Sequence, residues 1–199
     1  MRLYKFISII LHPIVLPTIG VIIYLIFLPH TIIEKQRLYL IGYIFIITYL
    51  IPLGVLILLK GLNLINSFKV QSIKERKIPL FLMILLFTII GNIFMKSLNL
   101  RDFGVLFYGT TLGLILVYLF IIFQIKVSLH LLSIGSLIGF FMMMGFEYST
   151  SVAPIILVLI LLSGLLASAR LHLKAHEPKE VYLGVLFGIS SQICAYCIL

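Results

Sequence analysis

Charge is scarce in this chain, and acid is scarcest of all. Of 199 residues only 11% are charged, and six Asp or Glu stand against fifteen Lys or Arg, giving a net charge of +9. Hydrophobic residues make up 62% and the mean hydropathy is +1.26, whereas a soluble domain holds about 45–50% apolar residues. A soluble domain is therefore excluded, and nothing is left over to form one beside the apolar runs. Nucleic acid is excluded as a partner for a related reason. The basic residues lie between apolar runs and build no soluble face, so anionic lipid head groups are the partner they imply.

Other absences narrow the class further. There are two cysteines, Cys194 and Cys197, and they sit inside an apolar run, not in the soluble βαβ setting that redox chemistry would need. Two small buried side chains are expected there. No Cys, His and carboxylate cluster has ligand spacing, so neither a metal nor another cofactor is expected. No internal repeat or inverted half marks the chain as a transporter. No small-residue cleavage site follows Met1-Arg2-Leu3-Tyr4-Lys5 and its apolar run, so that run reads as a retained helix.

What is present is a series of apolar runs of about 20 residues, long enough to span a bilayer. Seven candidate spans fall at about 6–28, 38–59, 79–98, 103–125, 131–146, 153–169 and 181–199. The expected fold is all-α: a polytopic transmembrane helical bundle of six to seven spans, one integral-membrane domain over 1–199. His12-Pro13 and Pro17 should kink the first span, and the polar stretch 60–78 has the spacing to lie along the interface. Neither His12 nor His30 has a partner that the pattern identifies. Glycine pairs four apart, Gly109/Gly113, Gly135/Gly139 and Gly184/Gly188, read as intramolecular helix packing.

The polar segments 60–78, 126–130 and 170–180 follow spans two, four and six, so parity puts them on one side of the membrane. Ionisable groups at membrane depth cost about 2.5–3.5 kcal/mol each on insertion scales, and those that remain usually have a role. In the last segment Pro178 suits a first helical turn. That puts His176 at a helix N-terminus, with Glu180 one turn on and able to hold its imidazole in one tautomer. Arginine, neutral imidazole, carboxylate and a helix end are the parts of a phosphate-handling site.

These residues resemble the type-2 phosphatidic acid phosphatase superfamily, which includes the vanadium haloperoxidases. Arg170, five residues, His176, three residues and Glu180 reproduce the spacing of that family's last motif. Ser168 is displaced one place by Ala169, and Glu stands where the family has Asp. Val127-Ser128-Leu129-His130 keeps the serine and histidine of the middle motif. Lys69 and Arg76 loosely match the first, with its proline displaced to Pro79. The resemblance covers about 69–199 and implies a phosphatidic acid phosphatase-like core there. Two apolar spans lie between the first two motifs, where the family often has an extramembrane segment.

The resemblance implies a metal-independent phosphatase working through a phosphohistidine. His176 would attack phosphorus and Glu180 would fix its tautomer. His130 would serve as acid and base. Arg170, Arg76, Ser128 and a lysine would hold the phosphoryl oxygens. Lys69 and Lys126 are both candidates for that lysine, and the helix-end position of Lys126 equally suits snorkelling to head groups. The substrate class is a phospholipid or polyprenyl phosphate: phosphatidate, phosphatidylglycerophosphate or a polyprenyl diphosphate. A non-catalytic phospholipid-binding or transport protein is the alternative.

The expected location is integral and multi-pass, of the bacterial inner-membrane kind. Eleven Lys and Arg fall on the motif side and four on the other. That bias favours a cytoplasmic site, whereas the resemblance implies an outward one, and the side and the oligomeric state stay open.

Overall fold

Proline decides how the chain begins. Pro13 has no N–H to donate and disfavours helical geometry at His12 before it. The first helix, α1 (Arg2–Ile10), therefore stops short, and α2 (Leu16–Phe27) starts afresh with Pro17 in its first turn. The kink expected within one span is a full break. The turn across it is closed by the Val15 and Leu16 amides, which donate to the His12 carbonyl at 2.8 and 3.2 Å. The 12 residues of α2 cover about 18 Å, short of a hydrocarbon core about 30 Å thick. A computed structural model describes residues 2–28, 32–67 and 72–199; His30 and Lys69 lie outside them.

Six longer stretches have the length and composition to cross a membrane: Glu34–Gly61, Glu75–Met95, Leu98–Ile122, Leu129–Glu147, Ala153–His172 and Pro178–Ile198. They fit a multi-pass integral membrane protein. No strand occurs among the described residues. The first stretch joins α3 (Glu34–Phe45) to α4 (Ile51–Gly61) through one wider π turn, Ile46–Leu50. Pro52 cannot bond back to the Thr48 carbonyl, which accounts for the loosened turn. The Thr48 hydroxyl donates to the Ile44 carbonyl at 2.9 Å and lies 3.1 Å from the Thr18 hydroxyl of α2.

Helix α5 (Ile73–Met95) starts six residues before the expected Pro79, because Ser72 caps it by accepting the Glu75 N–H at 3.2 Å. Ser-x-x-Glu is a capping pattern, and it makes the end of the 60–78 stretch part of a spanning helix where an interfacial one was expected. Then follow α6 (Arg101–Ile122), α7 (Leu129–Glu147), α8 (Ala153–His172) and α9 (Pro178–Ile198).

Helix α7 is the axis of the bundle. Of its apolar stretch 72% is buried inside the protein, against 17% for α8, which turns Leu157, Leu161 and Leu165 outward. Two glycines set how closely α9 lies on α7. A Cβ at Gly188 would come within 2.3 Å of the Leu132 carbonyl, and one at Gly135 within 2.6 Å of the Val185 carbonyl. Backbone touches backbone there, which only glycine allows. All three glycine pairs serve contacts among α6, α7 and α9, so they pack within the chain. The inward face of α9 is taken by Ser191, Gln192 and Ala195. Cys194 and Cys197 are consequently exposed free thiols, a correction to the buried pair expected.

Short reversals keep the polar segments at one end. Gln124 and Lys174 adopt left-handed φ angles of 62° and 50°. The amides that follow them, at Ile125 and Ala175, donate back to Phe120 and Arg170 at 2.9 and 3.1 Å. Each closes a helix end and reverses the chain.

Candidate active site

The start of α9 supplies the most tightly determined part of the site. Glu177 and Glu180 form a reciprocal capping box, with Pro178 in the first turn. One oxygen of Glu180 accepts the Glu177 N–H at 3.3 Å and His176 Nδ1 at 2.6 Å. A carboxylate only accepts, so Nδ1 of His176 carries the proton and Nε2 keeps its lone pair. Both side chains are buried, each residue 8% exposed. Burial pushes the His176 imidazole below its ordinary range; the Glu180 hydrogen bond opposes this, and the nearby Arg170 and Arg76 charges reinforce it. The ring is therefore held neutral.

A single backbone bond ties this helix start to the next polar segment. The Ser128 N–H donates to the Glu180 carbonyl at 3.1 Å, which brings the first turn of α7 and His130 beside His176. His130 Nε2 lies 3.3 Å from the Ser8 carbonyl and 3.5 Å from the Ser8 hydroxyl. A carbonyl can only accept, so Nε2 of His130 holds the proton and Nδ1 is open to receive or give one.

Arg170, in the last turn of α8, reaches the same place. Its Nη1 donates to the Ser8 hydroxyl at 2.8 Å, while its Nε is buried with no hydrogen-bond partner among the described residues. A buried guanidinium N–H left unpaired is costly. Arg76 comes from the first turn of α5, where the Ser72 cap sets it.

Arg76, His130, Arg170 and His176 line one cavity of about 200 Å³ together with His12, Thr48, Thr110 and Ser133. Much of the rest of its lining is apolar, including Leu56, Leu80, Met83, Phe87 and Leu114. Guanidinium and imidazole groups suit an anion, and the apolar side chains suit a hydrocarbon. Among the described residues no three His, Cys, Asp or Glu side chains converge as metal ligands would.

Four of the expected residues, Arg76, His130, Arg170 and His176, thus line a common space, with Glu180 behind His176. Ser128 is fully buried, its hydroxyl has no partner among the described residues, and it is not part of the cavity wall. Lys126 is half-buried in the loop before α7 and does not line the cavity either. Lys69 lies outside the described residues. Ser168 is exposed on α8.

Two N-terminal residues of the site, Ser8 in α1 and His12 at the break, were not anticipated. Ser8 binds both Arg170 and His130, and His12 lies edge-on to His130 with ring centroids 5.0 Å apart. Their one sequence signal is His12-Pro13 interrupting an apolar run.

A second polar cluster closes the other end of the bundle. Asp102, in the first turn of α6, accepts the hydroxyls of Tyr24 from α2 and Tyr148 from the end of α7, the latter at 2.5 Å. No family model matches the chain, and no curated protein and no solved structure matches it either.

Proposed function

We propose that this chain is an integral-membrane lipid phosphate phosphatase of the type-2 phosphatidic acid phosphatase kind. Its substrate is a phosphomonoester or diphosphate of a lipid, such as phosphatidate, phosphatidylglycerophosphate or a polyprenyl diphosphate. The observation that carries the reading is the His176–Glu180 pair, with its free Nε2 on the same cavity as two arginines and a second histidine.

In the first step Nε2 of His176 attacks phosphorus and the bond from phosphorus to the lipid oxygen breaks. That oxygen leaves with a proton from His130 in its imidazolium form. Glu180 stabilises the charge that grows on the His176 ring as the P–N bond forms. Water then attacks phosphorus and gives a proton to His130. The P–N bond breaks, and inorganic phosphate and free His176 are regenerated. Arg170 and Arg76 hold the charge on the phosphoryl oxygens throughout, which is where most of the stabilisation in phosphoryl transfer lies.

A non-catalytic phospholipid-binding protein is favoured by one observation, the absence of Ser128 from the cavity wall. Phosphate release separates the two. Purified in detergent with chelator present, the chain should release phosphate from at least one of these three lipids. His176→Ala should lower the rate by about 10⁴-fold or more. An active His176→Ala protein rejects the phosphohistidine, and no release from any of the three leaves the binding protein.

A further inference from the structure

We infer that His12, on the N-terminal break, is a phosphoryl-binding residue of this cavity, donating from Nε2–H to a phosphate oxygen. The turn itself fixes the tautomer. The Ile14 N–H donates to His12 Nδ1 at 3.4 Å, so Nδ1 holds a lone pair and the ring proton of the neutral imidazole is on Nε2. No described residue accepts that proton, and His12 lines the cavity beside Arg170 and His130.

The neighbouring groups point the same way. His130 and Arg170 are both anchored on Ser8, one turn before His12. Two arginines, Arg76 and Arg170, and the imidazoles of His12, His130 and His176 therefore line a space whose wall has no carboxylate. With no carboxylate on the wall to receive it, the Nε2–H of His12 suits an anion with several oxygens, which a phosphoryl group is.

This deepens the phosphatase reading and rests on it for any role in turnover, but binding alone can test it. Inorganic phosphate is titrated into the full chain in detergent and read by ³¹P line broadening. The titration is repeated with His12→Gln, whose amide nitrogen reaches the place of Nε2, and with His12→Asn, whose amide cannot. His12→Asn should bind phosphate about tenfold more weakly, the loss expected for one hydrogen bond to a charged group. His12→Gln should stay within about threefold of the parent.

Phosphatidate in the same detergent carries the same oxygens on a lipid. If it competes with phosphate and is weakened in parallel, the site takes a lipid phosphate; if only free phosphate responds, the ligand is the free ion. Either result supports His12. Equal binding by the Asn and Gln variants overturns it, as does a parent chain that binds neither ligand. Binding that depends on His12 without any lipid phosphate hydrolysis would instead remove the phosphatase and leave this residue in place.

Discussion

The two ends of the bundle handle buried polarity in opposite ways. At one end Asp102 is closed over by Tyr24 and Tyr148, whose hydroxyls lie 3.2 Å apart and both reach the same carboxylate oxygen. Each donor there has its acceptor, and the cluster joins α2, α6 and the end of α7 as a clasp would. At the other end two arginines and three histidines line a cavity, and the Nε of Arg170 has no partner among the described residues. Both clusters lie in an apolar protein, where polar groups are costly. A closed cluster accounts for itself through stability, whereas a cavity lined by cations and imidazoles has room for an anion.

Substitutions should separate the two ends. Of the substitutions that compare the ends, Arg170→Lys should have the largest effect, because it keeps the charge and loses the planar fork. Phosphate release should fall about 10²–10³-fold, with the thermal midpoint in detergent little changed. Asp102→Asn should do the reverse. It weakens charge-assisted hydrogen bonds from two tyrosines, so the protein should lose about 1–3 kcal/mol of stability, seen as a lower midpoint, while turnover per folded molecule holds. If Asp102→Asn instead abolished turnover at an unchanged midpoint, the contrast between the ends would collapse.

The smallest expected effect is on pH dependence. His176 must be neutral to attack, and its imidazole is held below the ordinary range, so it protonates later as pH falls. The acid limb of kcat/KM, corrected for the substrate's own titration, should therefore lie below about 6.5, the value of a free imidazole. Glu180→Gln weakens the contact that raises the His176 pKa, so the limb of its residual activity should move lower still. A limb above the free-imidazole value would contradict a buried, neutral nucleophile.

Much of this was legible in the sequence. The helical class follows from hydropathy alone, and the contact between His176 and Glu180 follows from Pro178 and a one-turn spacing. That the segments holding Arg76, His130 and Arg170 meet could be read from parity, since short turns force consecutive spans to alternate. The N-terminal break was harder. Hydropathy averages over Pro13 and reads one run, so the separation of α1 from α2 was seen only as a kink. Ser8 and His12 then had no visible partners, because theirs are more than a hundred residues away in sequence. Asp102 was hidden likewise, being one acid in a tight turn whose tyrosines come from two distant helices. The exposure of Cys194 and Cys197 depends on which face of α9 meets α7, and a uniformly apolar helix does not announce that face.

The glycine contact between α7 and α9 bears on how the cavity could admit a lipid. With backbones touching at Gly135 and Gly188, and Ser128 bonded to Glu180, His130 and His176 ride on one stiff frame. The backbones that carry the two imidazoles cannot part without separating those helices. The arginines belong to other parts, α5 and α8, and α1 packs on α8. On the phosphatase reading, a substrate would therefore meet two histidines carried by one unit and cations brought to it by separate helices.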